Sequence, residues 1–223
     1  MGKKWSRIVN IVLIAIALAL LIFILFGKCG SSMVREFGEP EAAGKPVLYL
    51  YPQKTEEVTV RLSLNGKADC TYPAYGSGWD VTASPDGKIV NRADGKEYSY
   101  LFWEGNLNTK YDLSSGFVVK GSYTAAFLQK KLAALGLTPK EYNEFIVYWL
   151  PKLQGNPYNL ISFQTGAYTD AAKLEITPKP DSVLRIFMAY KPLSAPVSVP
   201  EQKLTPFARK GFAAVEWGGA QAR

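Results

Sequence analysis

From Ile8 to Phe26 every position is apolar except Asn10, and no polar face recurs at helical spacing. A helix over that span is roughly 28 Å long, the thickness of a bilayer's hydrocarbon core. A helix packed on a soluble core would keep one polar face. Lys3, Lys4 and Arg7 precede the run, and flanking basic residues stay on the cytoplasmic side. The pattern predicts a cytoplasmic stub at 1–7, a single transmembrane anchor at 8–26 and export of everything beyond. Residues 27–44 hold Gly, Ser, Glu and Ala with no apolar period and read as a flexible linker.

Beyond Pro46 the period changes to that of strands. Val47 to Tyr51 is apolar on both faces, as a well-buried strand requires. Val58, Val60, Leu62 and Leu64 alternate with polar residues, and Asn65-Gly66 then signals a two-residue hairpin returning through Tyr72. Trp79 to Ala83, Ile89-Val90 and Glu97 to Trp103 continue an antiparallel meander, separated by turns at Ser84-Pro85-Asp86-Gly87 and Asp94-Gly95. The two Asp-Gly pairs lack the acidic ladder of a calcium loop and read as turns. Phe117-Val118-Val119 is a further short strand.

The period then becomes helical. Ser122 caps a helix with the stripe Phe127, Leu128, Leu132 and Leu135, which Gly136 ends. Thr138-Pro139-Lys140-Glu141 supplies a capping box with Pro at the first helical position. Tyr142, Phe145, Ile146, Trp149, Leu150 and Leu153 form one face of this second helix, and Pro151 should end or kink it. Strands follow at 158–164, 173–177 and 183–190. A proline-rich surface crossing, a short helix from Thr205 to Gly211 and a last strand from Phe212 to Trp217 complete the pattern. The fold class is α+β: an N-terminal transmembrane helix, then a β-meander, two helices and further strands, with one extracytoplasmic domain at 45–219 and a frayed tail at 220–223.

Composition narrows the chemistry. Histidine is absent from all 223 residues, which excludes Ser-His-Asp and Cys-His nucleophiles and the His-bearing zinc sites. No cofactor and no metal site is expected. The net charge is +7. Five basic and three acidic residues in the first 44 leave +5 for the domain, without a basic block. A solvated surface, or weak attraction to anionic lipid headgroups or wall polymers, accounts for that charge, and nucleic acid is not an expected partner.

Of the two cysteines, Cys70 reads as a small half-buried apolar residue, and Cys29 lies just after the apolar run. Cys29-Gly30-Ser31-Ser32 makes Cys29 a candidate lipidation site, although Lys28 stands where lipoprotein signals carry a small residue. The uncleaved anchor fits best, and lipidation or cleavage after export would place the domain on the same side.

Three carboxylates sit beside aromatic residues: Glu104 after Trp103, Glu144 before Phe145 and Glu216 before Trp217. Glycoside cleavage uses two carboxylates, one held protonated by an apolar surrounding, so these three are the candidate catalytic residues of an enzyme. The structural reading, which is favoured, has Glu104 and Glu216 closing turns or pairing with Lys and Arg, and Glu144 as a solvated helix residue. Trp103, Trp217, Tyr75 and Trp79 are the candidate ligand-binding rings, since aromatic faces stack on sugars. Ser84 and Lys88 have the wrong spacing for Ser-Lys chemistry.

The phrases Lys45-Pro46-Val47-Leu48-Tyr49-Leu50-Tyr51-Pro52, Tyr98 to Gly105, Asn143 to Pro151 and Val215-Glu216-Trp217-Gly218-Gly219 together resemble an uncharacterised family of bacterial proteins, often exported. The resemblance spans nearly all of 45–219 and implies one folded unit and no particular chemistry. The expected function is that of a single-pass membrane protein with a cytoplasmic N-terminus. Its extracytoplasmic domain would bind a cell-wall glycan or a membrane protein partner at the cell surface. The alternative is a carboxylate-dependent glycan hydrolase of the cell envelope.

Overall fold

Val47 and Tyr49 face one way along the first strand and Leu48 and Leu50 the other, and all four are buried. A strand apolar on both sides must lie between two layers. The computed structural model describes residues 41–222, so the stub, the apolar segment 8–26, Cys29 and linker residues 27–40 lie outside the described part. Among the described residues no helix is long and apolar enough to cross a membrane.

Among the described residues twelve strands form two sheets. The strands are β1 (Glu41–Tyr51), β2 (Glu56–Leu64), β3 (Gly66–Tyr72), β4 (Trp79–Ala83), β5 (Ile89–Asn91), β6 (Glu97–Tyr98), β7 (Leu101–Leu107), β8 (Phe117–Lys120), β9 (Tyr158–Gln164), β10 (Ala172–Thr177), β11 (Ser182–Leu193) and β12 (Ala213–Gln221). The larger sheet has the order β3-β7-β1-β12-β11-β9-β8 and the smaller β10-β2-β4-β5-β6. All named pairs are antiparallel except β11 with β12. The helices are α1 (Thr124–Ala134), α2 (Pro139–Leu153) and the single short turn α3 (Gly166–Ala171). The α+β class with two central helices is therefore observed, on a mixed sheet.

Two cores separate three layers. Leu48, Leu50, Trp103 and Phe187 meet Val58, Val60, Trp79 and Val81 between the sheets. On the opposite face of the larger sheet, Val47, Tyr49, Val215, Trp217 and Met188 pack under Leu128 and Leu132 of α1 and Phe145, Trp149 and Leu153 of α2.

The joins differ from the simple meander. Asn65-Gly66 makes no hairpin: β2 belongs to the smaller sheet and β3 to the larger. The Asn65 N–H donates to the Ala171 carbonyl and the Asn65 carbonyl accepts from Asn108 N–H, so the pair turns the chain from sheet to sheet. Likewise Glu97–Trp103 is not one strand. β6 ends in the smaller sheet and β7 starts in the larger, which lets one short run close the sandwich. β1 begins at Glu41, four residues before the expected boundary, because Glu41, Ala42 and Ala43 pair with Leu107, Asn106 and Gly105. β12 runs on through Gly218, Gly219 and Ala220 to Gln221, which takes in the first half of the expected frayed tail.

Helix α1 starts at Thr124 after a 3-10 turn, without a side-chain cap from Ser122. Its end matches expectation: Gly136 takes φ 104°, Leu137 N–H donates to Leu132 and Gly136 N–H to Ala133, a Schellman closure. The capping box of Thr138 and Glu141 forms as expected. Helix α2 continues past Pro151 to Leu153, and Pro151 and Val147 are both exposed, so water can take the Val147 carbonyl that Pro151 leaves unpaired. No helix forms at 205–211. The parallel pair β11–β12 needs the chain to return to the starting end of the sheet, and extended backbone covers about 3.3 Å per residue against 1.5 Å in a helix.

A fragment beginning at Glu41 is expected to unfold cooperatively in urea. One beginning at Lys45 should unfold at lower urea, because it loses the start of the β1–β7 ladder and buried Ala43. Trp149→Ala should cost about 3 to 5 kcal/mol and Thr138→Ala about 1 kcal/mol, both read from urea midpoints.

Candidate functional site

Strand β1 leaves its regular register at Lys45 and Pro46. Gly44 pairs with Gly219 and Val47 with Trp217, while on the other side Ala43 pairs with Gly105 and Val47 with Phe102. A bulge in a strand paired on both sides re-aims the side chains at the break. Lys45 takes φ 49°, and among the described residues it is the sole non-glycine with positive φ. That conformation costs about 1 to 3 kcal/mol and persists where neighbours over-determine it. Here Glu104 accepts the Lys45 backbone N–H at 3.1 Å.

The Gly44–Gly219 pair is the bed of α2. A Cβ on Gly44 would stand 3.1 Å from the Trp149 ring, and one on Gly219 2.8 Å from it. The bare backbone lets the indole lie against the sheet. Glu144, Tyr148 and Lys152 follow one another at four-residue spacing on α2 and so share one helix face. Glu144 accepts from the Tyr49 hydroxyl at 2.7 Å. Lys45 Nζ lies 5.0 Å from the Tyr148 ring centre and 5.6 Å from that of Trp217. Lys152 Nζ lies 4.1 Å from the Tyr148 ring centre.

Beside this cluster opens a cleft of about 650 Å³, with Trp149 and Tyr190 among its lining and Glu104, Asn106, Tyr148 and Lys152 around them. Asp69 and Gln221 also line it. Asn106 donates to Asp69 at 2.7 Å and Tyr190 to Gln221 at 3.1 Å. Burial pushes the Tyr148 hydroxyl up, and the neighbouring Glu104 carboxylate pushes it further. Burial pushes the Lys45 amine down. Glu144 opposes that shift and Lys152 adds to it. Tyr49 is pushed well up, first by burial and then by its bond to Glu144.

The candidate carboxylates divide between the two faces of the larger sheet. Glu104 and Glu144 both lie on the helix side, around Lys45. Glu216 lies between the sheets with its side chain 1% exposed, accepting from Arg185 Nε at 2.7 Å and from Trp103 Nε1 at 3.4 Å. It is a buried structural ion pair, with the Arg185 guanidinium 4.9 Å from the Tyr168 ring centre, and it cannot share a substrate with the other two. Trp79, Trp103 and Trp217 are buried at 1% exposure or less and offer no ring face to a ligand. Tyr75 is half-buried, edge-on to Trp79 at 4.8 Å. Its hydroxyl accepts from Leu62 N–H and donates to the Leu62 carbonyl, so it serves the smaller sheet. Cys70 is exposed on β3, not half-buried, because this edge strand has no layer over it.

Sequence reasoning missed Lys45, Tyr148 and Lys152. The four-residue spacing from Glu144 was visible, but nothing in it says that the bulge of β1 lies beneath. Among the described residues no group of three His, Cys, Asp or Glu is arranged to hold a metal.

The entry of α2 is fixed separately. Glu141, its side chain fully buried, accepts from Tyr51 Oη at 2.7 Å, from Thr138 N–H at 2.8 Å and from Arg209 Nη1 at 2.9 Å, and pairs also with Arg209 Nη2. Arg209 donates in addition to the Gly136 carbonyl. Burial alone would raise the Glu141 pKa, but Arg209, the Thr138 N–H and Tyr51 together hold it below the ordinary carboxylate value.

The chain matches no family model, no curated protein and no solved structure. What the coordinates define is a class: a three-layer α+β domain with an aromatic and charged cleft where α2 crosses a bulged central strand.

Arg209→Met should cost about 3 kcal/mol or more, since it strands a buried carboxylate. The sign of the pH effect follows from the lowered Glu141 pKa. Its stabilisation is present above the ordinary carboxylate range and is lost as pH falls through the depressed native value. Urea midpoints against pH should therefore drop on acidification in the wild type and drop less in Arg209→Met.

Proposed function

We propose that this protein is a membrane-anchored, extracytoplasmic binding domain that takes a cell-wall glycan in the cleft beside α2. The anchor and its orientation rest on the apolar run at 8–26 and the basic residues before it. The observation that carries the binding role is the cleft's lining. Carboxylates and carboxamides from Glu104, Asp69, Asn106 and Gln221 stand around the half-buried ring of Tyr148, the other two aromatic lining residues, Trp149 and Tyr190, being buried in the cleft wall. Sugar hydroxyls are met by such acceptors and donors, and the apolar faces of sugar rings by aromatic side chains.

Binding is favoured over hydrolysis because the carboxylates are already engaged. Glu104 holds a backbone N–H, Glu144 a tyrosine hydroxyl and Glu216 an arginine across the sheet. A hydrolase needs one carboxyl to deliver a proton to the leaving group and another on the far side of the sugar.

The test is calorimetric titration of the full chain in detergent with soluble wall-glycan fragments. Saturable binding is expected, weakened by about 1 kcal/mol in Tyr148→Ala through lost stacking area and only modestly in Glu104→Gln. Absence of binding to any wall fragment overturns this reading. Release of reducing ends by the wild type, abolished in Glu104→Gln, replaces it with the hydrolase.

A further inference from the structure

The cleft has a direction. Its lining includes Ala42, Ala43 and Gly44 at the start of β1 and Gln221 at the end of β12. Glu41, where β1 begins, pairs with Leu107 at the end of β7, and Leu107 pairs with Gly66 at the start of β3. The cleft therefore lies at the end of the larger sheet where the chain enters the domain. Helix α2 runs toward that same end. Glu141 in its first turn meets Tyr51, the last residue of β1, and Trp149 lies over Gly44 near the first.

Charge changes sign along both walls in that direction. On α2, Glu144 gives way to Tyr148 and then to Lys152, two turns or about 12 Å further on. On the sheet, Glu104 gives way to Asn106. Opposite Asn106 on β3 stands Lys67, whose side chain takes the same face. The carboxylates of the lining, Glu104 and Asp69, lie further in than this row, and each is engaged: Glu104 by the Lys45 backbone N–H and Asp69 by the Asn106 amide. Lys67 and Lys152 are exposed. Ion pairs among the described residues use Arg61, Lys88, Arg92, Lys131, Arg185 and Arg209 as their cations, and neither Lys67 nor Lys152. Lys152 touches only aromatic rings, with Tyr148 the nearer. The cleft thus offers engaged acceptors and a half-buried ring within, and unpaired ammonium groups at the end where the chain enters.

We propose that the glycan taken by this cleft is carried on a membrane lipid through a phosphate. The sugar lies along Tyr148 between Asn106 and Gln221, and the phosphate meets the ammonium of Lys152, with Lys67 adding to the positive field. Lysine suits a phosphate as a point charge. Fourteen residues, 27–40, join Phe26 to Glu41, a reach of at most about 50 Å. A ligand held in the same bilayer meets a tethered site at an effective concentration of about millimolar, which a soluble one does not. The inference rests on the anchor and on the cleft being the glycan site proposed above. It adds the end by which the glycan is held and the surface from which it comes.

The experiment titrates the full chain in detergent calorimetrically with soluble wall-glycan fragments, once with a free reducing end and once with a phosphate there. The phosphate should tighten binding about fivefold at low salt and less at about 0.5 M salt. Lys152→Met should remove the gain and Lys152→Arg should keep it. Equal affinity for the two forms overturns the proposal and leaves the binding role standing, as does a gain that persists in Lys152→Met. Absence of binding to either form overturns both. A second arm places the full chain in phosphatidylcholine nanodiscs with the phosphorylated fragment esterified to a long-chain alcohol, and maps lysine acetylation by peptide mass. Lys152 should react severalfold more slowly than in nanodiscs holding the alcohol phosphate without sugar, while Lys54 at the far end of β1 is unchanged. Equal protection by the sugar-free phosphate overturns the proposal in favour of a plain anionic headgroup. Protection by the soluble phosphorylated fragment but not by its lipid-linked form overturns the membrane source.

Discussion

The indole of Trp149 lying on the Gly44–Gly219 pair holds the rest of the site in place. Any side chain on either glycine would meet the ring at 3.1 Å or less, so α2 is held at the distance that two bare backbones allow. That distance sets everything α2 carries. It brings the Glu144, Tyr148 and Lys152 face over the bulge in β1 and makes Trp149 part of the cleft lining. Gly218, on the next residue of β12, is close to Pro46 in the same way, with a Cβ there 3.1 Å from its ring. The bulge at Lys45 and the glycines of β12 are thus one packing solution: where β1 departs from its ladder it is met by two consecutive glycines with no side chains to resist it.

The domain handles its charges in two ways, and the contrast marks the site. Where a carboxylate is sealed away, an arginine is brought across the sequence to meet it, Arg185 to Glu216 between the sheets and Arg209 to Glu141 at the start of α2. Arginine suits this use because its charge persists when desolvated and its donors are forked. At the cleft the cations are lysines, the acceptors are spent on neutral donors, and the ammonium groups face aromatic rings. The first arrangement contributes a fixed geometry. The second leaves the two ammonium groups of Lys45 and Lys152 beside the Tyr148 ring.

Local signals that depend on a few consecutive residues were legible. The capping box at Thr138, the glycine stop at Gly136 and the alternation of β2 all occur where the sequence places them, because each is settled by neighbours along the chain. Signals whose meaning depends on the partner were not. Asn65-Gly66 has hairpin chemistry, yet β2 and β3 join different sheets, because the smaller sheet supplies β10 and β4 as the neighbours of β2. The tryptophans at 79, 103 and 217 carry no mark that distinguishes a core ring from a ligand platform, and burial puts all three in the core.

By itself the sequence determined the two longer helices and most of the strands, the α+β class, the absence of histidine chemistry and the apolar run that argues for an anchor. Those follow from composition and from spacing along one chain. Only the tertiary structure decided that Glu216 faces away from Glu104 and Glu144. Strand alternation assigns faces within one strand, and the faces of β7, β12 and α2 acquire a common meaning only once register and layer order are known. The same holds for Lys45. A lysine before a proline at the start of a strand is unremarkable in sequence. Its bulge, its positive φ and its place between the rings of Tyr148 and Trp217 arise from residues about 100 and 170 positions away, which no local pattern could bring together.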